Sequence, residues 1–184
     1  MSTTWPHTGA VLAGGSSTRM GATKSDLVLP TGGTMIEAVI ETLAGVCAQV
    51  VTVGGRGWGP KAVPDLRSGA GPLGGIEALL ASGLDDNYLA CPNDIPLLTA
   101  ELAHRLTAPS DAMATIFTTD GVRIQSLPLR ISVAALPLVT AALDRGENAI
   151  HRVLARLDAD RIPISEEEAR ALRNINTRSE FNSI

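Results

Sequence analysis

A chain of 184 residues has the size of one compact domain, so we expect residues 1–184 to form a single domain with one active site. Hydrophobic residues make up 45% of the chain and charged residues 18%, and this balance excludes intrinsic disorder. The net charge is −4 and no basic block occurs, which excludes broad electrostatic binding to nucleic acid or to an acidic membrane surface.

The cysteines and the first residues indicate the compartment. Two cysteines, Cys47 and Cys91, are too few for a disulfide framework and too ill-spaced for a thiolate zinc site. Residues 1–7 lack the basic and apolar regions of a signal peptide, and no apolar run approaches the ~18 residues of a membrane span. We therefore expect a soluble cytoplasmic protein with no membrane partner.

The first half of the chain alternates apolar strand patterns with helical patterns. Thr34 and Glu37 have the spacing of a capping box, which predicts a helix start at residue 34. Because aromatic residues make up only 3% of the chain, we expect a core of aliphatic side chains between helices and a largely parallel sheet. The predicted strands are 8–13, 49–53, 61–63 and 88–91, and the predicted helices are 34–45, 73–82 and 101–106.

The second half of the chain departs from this alternation. Asp120-Gly121 is a dipeptide typical of hairpin turns, so an antiparallel pair is expected around it. Pro137 should either kink the helix that contains it or mark the true beginning of that helix. The predicted segments are the hairpin strands 112–118 and 122–129, the helices 131–143 and 149–157, and a last strand 161–164. The sequence therefore predicts an α/β domain that begins as a nucleotide-binding half and ends with an antiparallel excursion.

The strongest chemical signal is the string L-A-G-G-S-S-T-R-M-G-A-T-K, residues 12–24, directly after the first predicted strand. Gly14 and Gly15 lack a Cβ and can present backbone N–H groups to a ligand, while Arg19 and Lys24 add positive charge. Together these groups predict a cradle for a polyphosphate. The spacing matches neither the dinucleotide-binding fingerprint nor the Walker loop, so both of those interpretations are set aside.

A second signal is an aspartate that follows a predicted strand. Asp94 lies between Pro92 and Pro96, an arrangement that ends the strand and projects the carboxylate from the carboxyl edge of the sheet. Mg²⁺ is typically held by one or two carboxylates together with phosphate oxygens and water. Asp94 therefore predicts a magnesium site.

Other polar groups could complete such a site. Asn174 and Asn176 are two residues apart, so their amides face the same side of an extended segment and could complete the metal shell. Four arginines could hold an anionic acceptor, and we expect at most one or two of them to do so. They are Arg123, Arg130, Arg145 and Arg152.

Few side chains are available for acid–base catalysis. The three histidines lie in the N-terminal tail and on predicted helices, and no Ser/His/Asp or Cys/His constellation is indicated. Cys91 ends an apolar strand next to a proline, so we expect it to be buried rather than nucleophilic. A phosphate monoester is already anionic near neutral pH, and its attack on another phosphate needs no general base. This composition therefore favours transfer between phosphates.

Four motifs in the same order resemble the molybdenum cofactor guanylyltransferase family, the MobA-like nucleotidyltransferases. The matching segments are residues 12–24, Gly71-Pro72-Leu73-Gly74-Gly75, Cys91-Pro92-Asn93-Asp94-Ile95-Pro96 and Asn174-Ile175-Asn176-Thr177. The resemblance implies a Rossmann-like three-layer α/β sandwich of the glycosyltransferase-A or nucleotidyltransferase type, with a mostly parallel sheet. It implies GTP and molybdopterin as substrates, molybdopterin guanine dinucleotide and pyrophosphate as products, and Mg²⁺ as cofactor.

The resemblance also implies the residues of the site. The expected catalytic residues are Arg19, Lys24 and Asp94. The expected nucleotide-binding residues are Leu12, Ala13, Gly14, Gly15, Lys24, Gly55, Asp65, Gly74 and Asp94. The expected metal ligands are Asp94 and Asn176, and the expected acceptor-binding residues are Gln125, Asn148 and Asn174. Further partners of this family would be other cofactor-biosynthesis proteins or apo-molybdoenzymes.

The chain departs from the family pattern at three places. Thr23 stands where an acidic residue often precedes the lysine, Gln125-Ser126 replaces Gln/His-Pro, and Gly55 stands where Asn is frequent. None of these departures removes an expected phosphate or metal ligand. Two alternatives stay open at this point: a related nucleotidyltransferase that uses CTP or another phosphorylated acceptor, such as a sugar 1-phosphate or phospholactate, and a non-catalytic nucleotide-binding module.

Overall fold

One mixed β-sheet forms the centre of the computed structural model, which describes residues 4–14, 28–29, 32–55, 61–175 and 180. Within that part of the chain the sheet has seven strands, in the order β3-β2-β1-β4-β6-β5-β7. The strands are β1 Trp5–Leu12, β2 Cys47–Val53, β3 Ala62–Val63, β4 Asn87–Pro92, β5 Ala114–Thr119, β6 Arg123–Ser132 and β7 Ala159–Ile164.

The direction of the strands decides which loops meet. β1 pairs in parallel with β2 and β4, β2 with β3, and β5 with β7, whereas β6 runs antiparallel to both of its neighbours. The predicted α/β class, with a mostly parallel sheet and an antiparallel excursion in the second half, is therefore confirmed. The carboxyl ends of β1 to β4 and the amino end of β6 lie at the same edge of the sheet.

Helices cover both faces of this sheet and make the three layers of the sandwich. They are α1 Met35–Ala44, α2 Gly71–Ala81, α3 Ala100–Leu106, α4 Leu136–Asp144, α5 Ile150–Leu154 and α6 Glu166–Ala171. One buried cluster joins the sheet to α2, α4 and α5, and the other joins it to α1 and α3. Successive residues of β1 alternate between the clusters: Ala10 and Leu12 belong to the first and Val11 to the second.

Helix starts are encoded locally. Thr34 and Glu37 form the predicted capping box at the start of α1, and Ser165 and Glu168 form another at the start of α6. The predicted helix 131–143 begins later than expected, because Ile131 and Ser132 still pair in β6. A 3₁₀ turn, Val133–Ala135, intervenes before α4, and Pro137 lies in the first turn of that helix, where its missing N–H has no intrahelical partner to lose. The interpretation of Pro137 as the true helix beginning is confirmed.

No helix in the described ranges is both long enough and apolar enough to cross a membrane.

Candidate active site

The carboxyl edge of the sheet opens into a central cleft of about 460 Å³. β1 and β4 each contribute their last residue, and the loop after β4 contributes Asn93 and Asp94. β6 contributes its first residues because it runs in the opposite direction. The lining residues are Leu12, Gly14, Pro72, Pro92, Asn93, Asp94, Arg123, Ile124, Gln125, Ser126, Leu127 and Asn174. Four motifs far apart in the sequence thus meet in one concave surface.

Asp94 lies on the floor of the central cleft. It follows the last residue of β4 by two positions, and its Oδ1 atom is buried. Its backbone carbonyl accepts a hydrogen bond of 2.8 Å from the N–H of Ile175. That bond holds the segment after α6 against the β4–α3 loop, and it explains why Asn174 lines the same cleft as Asp94.

A lateral cleft of about 450 Å³ lies beside the central one and shares Gly14 with it. It is lined by Gly14, Asp65, Arg67, Ser68, Gly69, Ala70 and Gly71. Most of these residues belong to the loop that joins β3 to α2, for which we use the name nucleoside loop, residues 65–71. The two clefts therefore form adjoining compartments on either side of the β1 end.

The carboxylate of Asp65 packs closely against glycine backbone. A Cβ added at Gly54 would lie 2.6 Å from Asp65 Oδ2, and a Cβ added at Gly14 would lie 3.2 Å from the same atom. Gly54 also has a φ of +70°, which side chains with a Cβ rarely adopt. The ends of β1 and β2 are thus shaped so that the Asp65 carboxylate can enter between them.

We expect Gly54→Ala to displace Asp65 and to destabilise the fold. Alanine at a φ of +70° costs about 1–2 kcal/mol, and its methyl group would collide with the carboxylate. The midpoint of urea unfolding measures the stability change, and nucleotide titration measures the effect on the lateral cleft. Gly83→Ala is the matched control, because Gly83 has a φ of +66° and no neighbour within 4 Å of an added Cβ. Equal losses of nucleotide binding in both variants would contradict the role given to the Asp65 contact.

Gly55 is constrained in a different way. Its φ is +67°, and an added Cβ would lie 2.9 Å from the carbonyl oxygen of Ala13. Asparagine tolerates the backbone conformation but would still bring this Cβ into contact with Ala13. The close approach of the β1 and β2 loops explains why this chain has glycine where asparagine is frequent.

The expected site residues are distributed unevenly. Leu12, Gly14, Asp94, Gln125 and Asn174 line the central cleft, and Asp65 lines the lateral one. Gly74 is buried in α2, where an added Cβ would lie 2.5 Å from that of Ala70, so it supports the nucleoside loop from behind. Asn148 is exposed in the connection between α4 and α5 and is not among the lining residues of either cleft. Gly15, Arg19, Lys24 and Asn176 lie outside the described residues.

The structure separates the candidate arginines. Arg123 lines the central cleft near the amino end of β6. Arg130 is only 4% exposed, and its guanidinium donates to Thr115 Oγ1, Asn87 Oδ1 and the carbonyls of Ser110 and Ala112. Burial lowers the pKa of Arg130 from its usual value. Arg130 therefore holds internal segments together and lines neither cleft, so it is not one of the arginines that remain candidates for the acceptor.

Cys91 is fully buried, as expected. Burial raises the pKa of the Cys91 thiol well above its usual value, so the thiol stays protonated at neutral pH. A nucleophilic cysteine in the β4 motif is therefore excluded.

An ion-pair network beside the lateral cleft was not predicted from the sequence. Arg67, in the nucleoside loop, bonds to Glu77 of α2 and to Asp144 of α4. A signal for it is present in the sequence, because Glu77 is the one charged residue in the otherwise apolar run of α2. An acid in such a run calls for a cationic partner.

The donor set at Asp94 fits a magnesium ion held jointly with a substrate. Among the described residues, no group of three or more His, Cys, Asp or Glu side chains could hold a metal ion by itself. The residues that line the central cleft instead include one carboxylate residue, Asp94, and two residues with amide oxygens, Asn93 and Asn174. Such hard oxygen ligands suit Mg²⁺, which usually keeps waters and takes phosphate oxygens as further ligands.

Gly14, the Asp94 carboxylate and two adjoining clefts meet at the carboxyl edge of a mostly parallel sheet, which is where α/β proteins commonly bind nucleotides. Residues 9–162 match the MobA-like NTP transferase domain, and the chain belongs to this family. It is a nucleotidyltransferase.

The matches to related proteins cover nearly the whole chain. The chain is 32% identical to a molybdenum cofactor guanylyltransferase of Xanthomonas euvesicatoria, covering 97% of this chain and 94% of that protein. It is 31% identical to a probable molybdenum cofactor guanylyltransferase of Pelotomaculum thermopropionicum, covering 95% and 89%. The fold is shared with a crystal structure of molybdopterin-guanine dinucleotide biosynthesis protein A from Archaeoglobus fulgidus, with a TM-score of 0.81, 24% identity and 96% of each chain covered.

Proposed function

We propose that this protein transfers GMP from GTP to molybdopterin and releases pyrophosphate, forming a molybdopterin guanine dinucleotide. The observation that carries the proposal is the meeting of Asp94, Gln125 and Asn174 in one cleft beside the Asp65 compartment. The names of the Xanthomonas and Pelotomaculum relatives support the same base and the same acceptor. Other proteins of cofactor biosynthesis, or apo-molybdoenzymes, would be the partners that deliver or receive the product.

In this reaction the terminal phosphate of molybdopterin attacks the α-phosphorus of GTP. A new bond forms between an oxygen of the acceptor phosphate and the α-phosphorus, and the bond from the α-phosphorus to the bridging oxygen of the β-phosphate breaks. Pyrophosphate leaves with that electron pair. The attacking oxygen is anionic near neutral pH, so the transfer needs no general base.

The protein's contribution is positioning and compensation of charge. Arg19 and Lys24 would hold the triphosphate, the lateral cleft would hold the nucleoside, and Arg123 and Gln125 would face the acceptor phosphate. Asp94, with amide oxygens near it, would hold Mg²⁺, which neutralises charge on the reacting phosphates when bound. The two clefts share Gly14, so a nucleoside in one and an acceptor in the other would meet beside Gly14.

Pyrophosphate release tests the whole proposal. Each of the four ribonucleoside triphosphates is incubated with the protein, with and without molybdopterin and with and without Mg²⁺. We expect release only when GTP, molybdopterin and Mg²⁺ are all present. Release with a sugar 1-phosphate or phospholactate in place of molybdopterin would move the assignment to another acceptor.

Base selectivity separates GMP transfer from CMP transfer. We expect kcat/KM for GTP to exceed that for CTP by at least about 10-fold, which corresponds to about 1.4 kcal/mol, or roughly one hydrogen bond. Without a Cβ at Gly14, the pocket would have room for a two-ring base against backbone, and a pyrimidine would leave some of the polar backbone groups unpaired. The fold cannot decide this point, because a cytidylyltransferase of Thermus thermophilus, at 14% identity, also superposes with a TM-score of 0.68. A preference for CTP would assign the chain to CMP transfer.

A further inference from the structure

Arg67 is held by carboxylates from two different helices. Its Nε donates to Glu77 Oε2 at 2.7 Å and its Nη2 donates to Glu77 Oε1 at 3.0 Å, which makes a bidentate pair with α2. Nη2 also donates to Asp144 Oδ1 at 2.6 Å, at the carboxyl end of α4. One side chain of the nucleoside loop is therefore tied to α2 and α4, two of the three helices that cover this face of the sheet.

The pair is built into the fold. Glu77 is only 3% exposed, and its neighbours in α2, Ile76 and Ala78, are also buried. A buried carboxylate is strongly unfavourable unless a cation and its hydrogen bonds compensate it. The hydrogen bonds from Arg67 to Glu77 and Asp144 raise the pKa of Arg67 above its usual value, so the guanidinium keeps its charge. Arg67 therefore has a fixed position in the folded protein.

The loop around Arg67 contains two glycines in the left-handed backbone region. Gly69 and Gly71 have φ values of +72° and +64°, and an added Cβ at either would have no neighbour within 4 Å. At its far end the loop is anchored where Ala70 packs against Gly74 of α2. Between that contact and Asp65, the side chain of Arg67 supplies the connection to the helices.

We propose that Arg67, held by Glu77 and Asp144, is a positioning residue that fixes the nucleoside loop so that the lateral cleft accepts the nucleoside part of the triphosphate. This inference rests on the proposed nucleotidyltransfer from GTP, and it assigns the three residues a share in nucleoside affinity and none in the chemical step. The expected consequence is specific: loss of the network weakens binding of the nucleoside part of the substrate and leaves binding of the triphosphate part unchanged.

Two ligands separate these parts. Calorimetric titration with GTP and with inorganic tripolyphosphate, both with Mg²⁺, is carried out on wild type, Arg67→Met and Asp144→Asn. We expect Arg67→Met to raise Kd for GTP by about 10-fold and to leave Kd for tripolyphosphate within about 2-fold, because a loosened loop loses preorganisation only toward the nucleoside. Asp144→Asn, at the more exposed of the two partners, should raise Kd for GTP by about 2- to 3-fold.

Steady-state kinetics and a conservative variant add a second readout. In Arg67→Met, KM for GTP should rise while kcat at saturating GTP stays within about 3-fold of wild type, which a general loss of structure would not produce. Arg67→Lys should recover only part of the affinity for GTP, because an ammonium restores the positive charge but cannot reproduce the bidentate pairing with Glu77. Glu77→Gln should behave like Arg67→Met if it folds, and the Arg67 and Asp144 variants decide the question if it does not.

The ion pair of Arg105 with Glu168 provides the matched control. It joins α3 to the start of α6, on the opposite face of the sheet, and its residues line neither cleft. Arg105→Met should leave both dissociation constants unchanged. If Arg67→Met weakened the binding of GTP and of tripolyphosphate equally, or weakened the binding of neither, the positioning role would be overturned. A wild-type protein that bound no nucleoside triphosphate more tightly than tripolyphosphate would instead overturn the proposed function.

Discussion

We expect Asp94→Asn to reduce kcat by about 10²–10³ while changing the affinity for GTP without Mg²⁺ by less than about 3-fold. An amide keeps the shape of the carboxylate but removes the charge. The variant should therefore lose affinity for Mg²⁺ while it keeps most of its affinity for GTP. The buried Oδ1 atom and the shared cleft with Asn174 place this charge on the floor of the central cleft, where the reacting phosphates would lie. Quenched assays of product formation at varied Mg²⁺ concentration measure the loss of kcat.

Two further Asp→Asn changes make the result specific. Asp120→Asn alters an exposed carboxylate in the β5–β6 turn, at a φ of +54° that asparagine tolerates, and should leave kinetics unchanged. Asp65→Asn, in the lateral cleft, should raise KM for GTP with a smaller effect on kcat. An Asp94→Asn protein with wild-type turnover and unchanged magnesium dependence would remove Asp94 from the catalytic site.

The sequence predicted the central cleft better than the lateral one, and the reason is physical. Strand patterns followed by glycine, proline or aspartate mark the carboxyl ends of parallel strands, and these ends must meet at one edge of the sheet. Gly14 and Asp94 could therefore be assigned together before the structure was known. The expected helix 131–143 was too long at its start, because a short apolar run has the same appearance at the carboxyl end of a long strand such as β6 and in a helix.

Contacts between residues that are far apart in the sequence could not be predicted in the same way. The bond from Ile175 N–H to the Asp94 carbonyl, and the Arg67 contacts with Glu77 and Asp144, join residues separated by up to 81 positions, from 94 to 175. No local pattern distinguishes Arg67, which bridges two helices, from a solvated arginine, and the same holds for Arg130, which proved to be internal. Such roles depend on which loops the sheet order brings together, and that order is a property of the whole fold.

Lys24 and Arg19 give the second large expected effect. We propose that Lys24 and Arg19 hold the triphosphate, and we expect Lys24→Ala and Arg19→Ala each to lower kcat/KM for GTP by about 10² or more, the scale of one lost fixed cation at a transferring phosphate. The chain contains two lysines, Lys24 and Lys61. Lys61 bonds to Gln49 next to the edge strand β3 and lines neither cleft, so Lys61→Ala is the control that changes the same chemical group without a kinetic effect.

The same pair of lysines permits a direct test of contact with the triphosphate. Amine acetylation followed by mass spectrometry should show Lys24 protected by GTP and by tripolyphosphate, both with Mg²⁺, because a lysine paired with phosphate oxygens is a poor nucleophile toward the reagent. Lys61 should be modified at the same rate with and without ligand, since its partner is a side chain of the protein. Protection by GTP but not by tripolyphosphate would place Lys24 against the nucleoside, and equal modification of both lysines under all conditions, together with wild-type kinetics of Lys24→Ala, would remove it from the phosphate cradle.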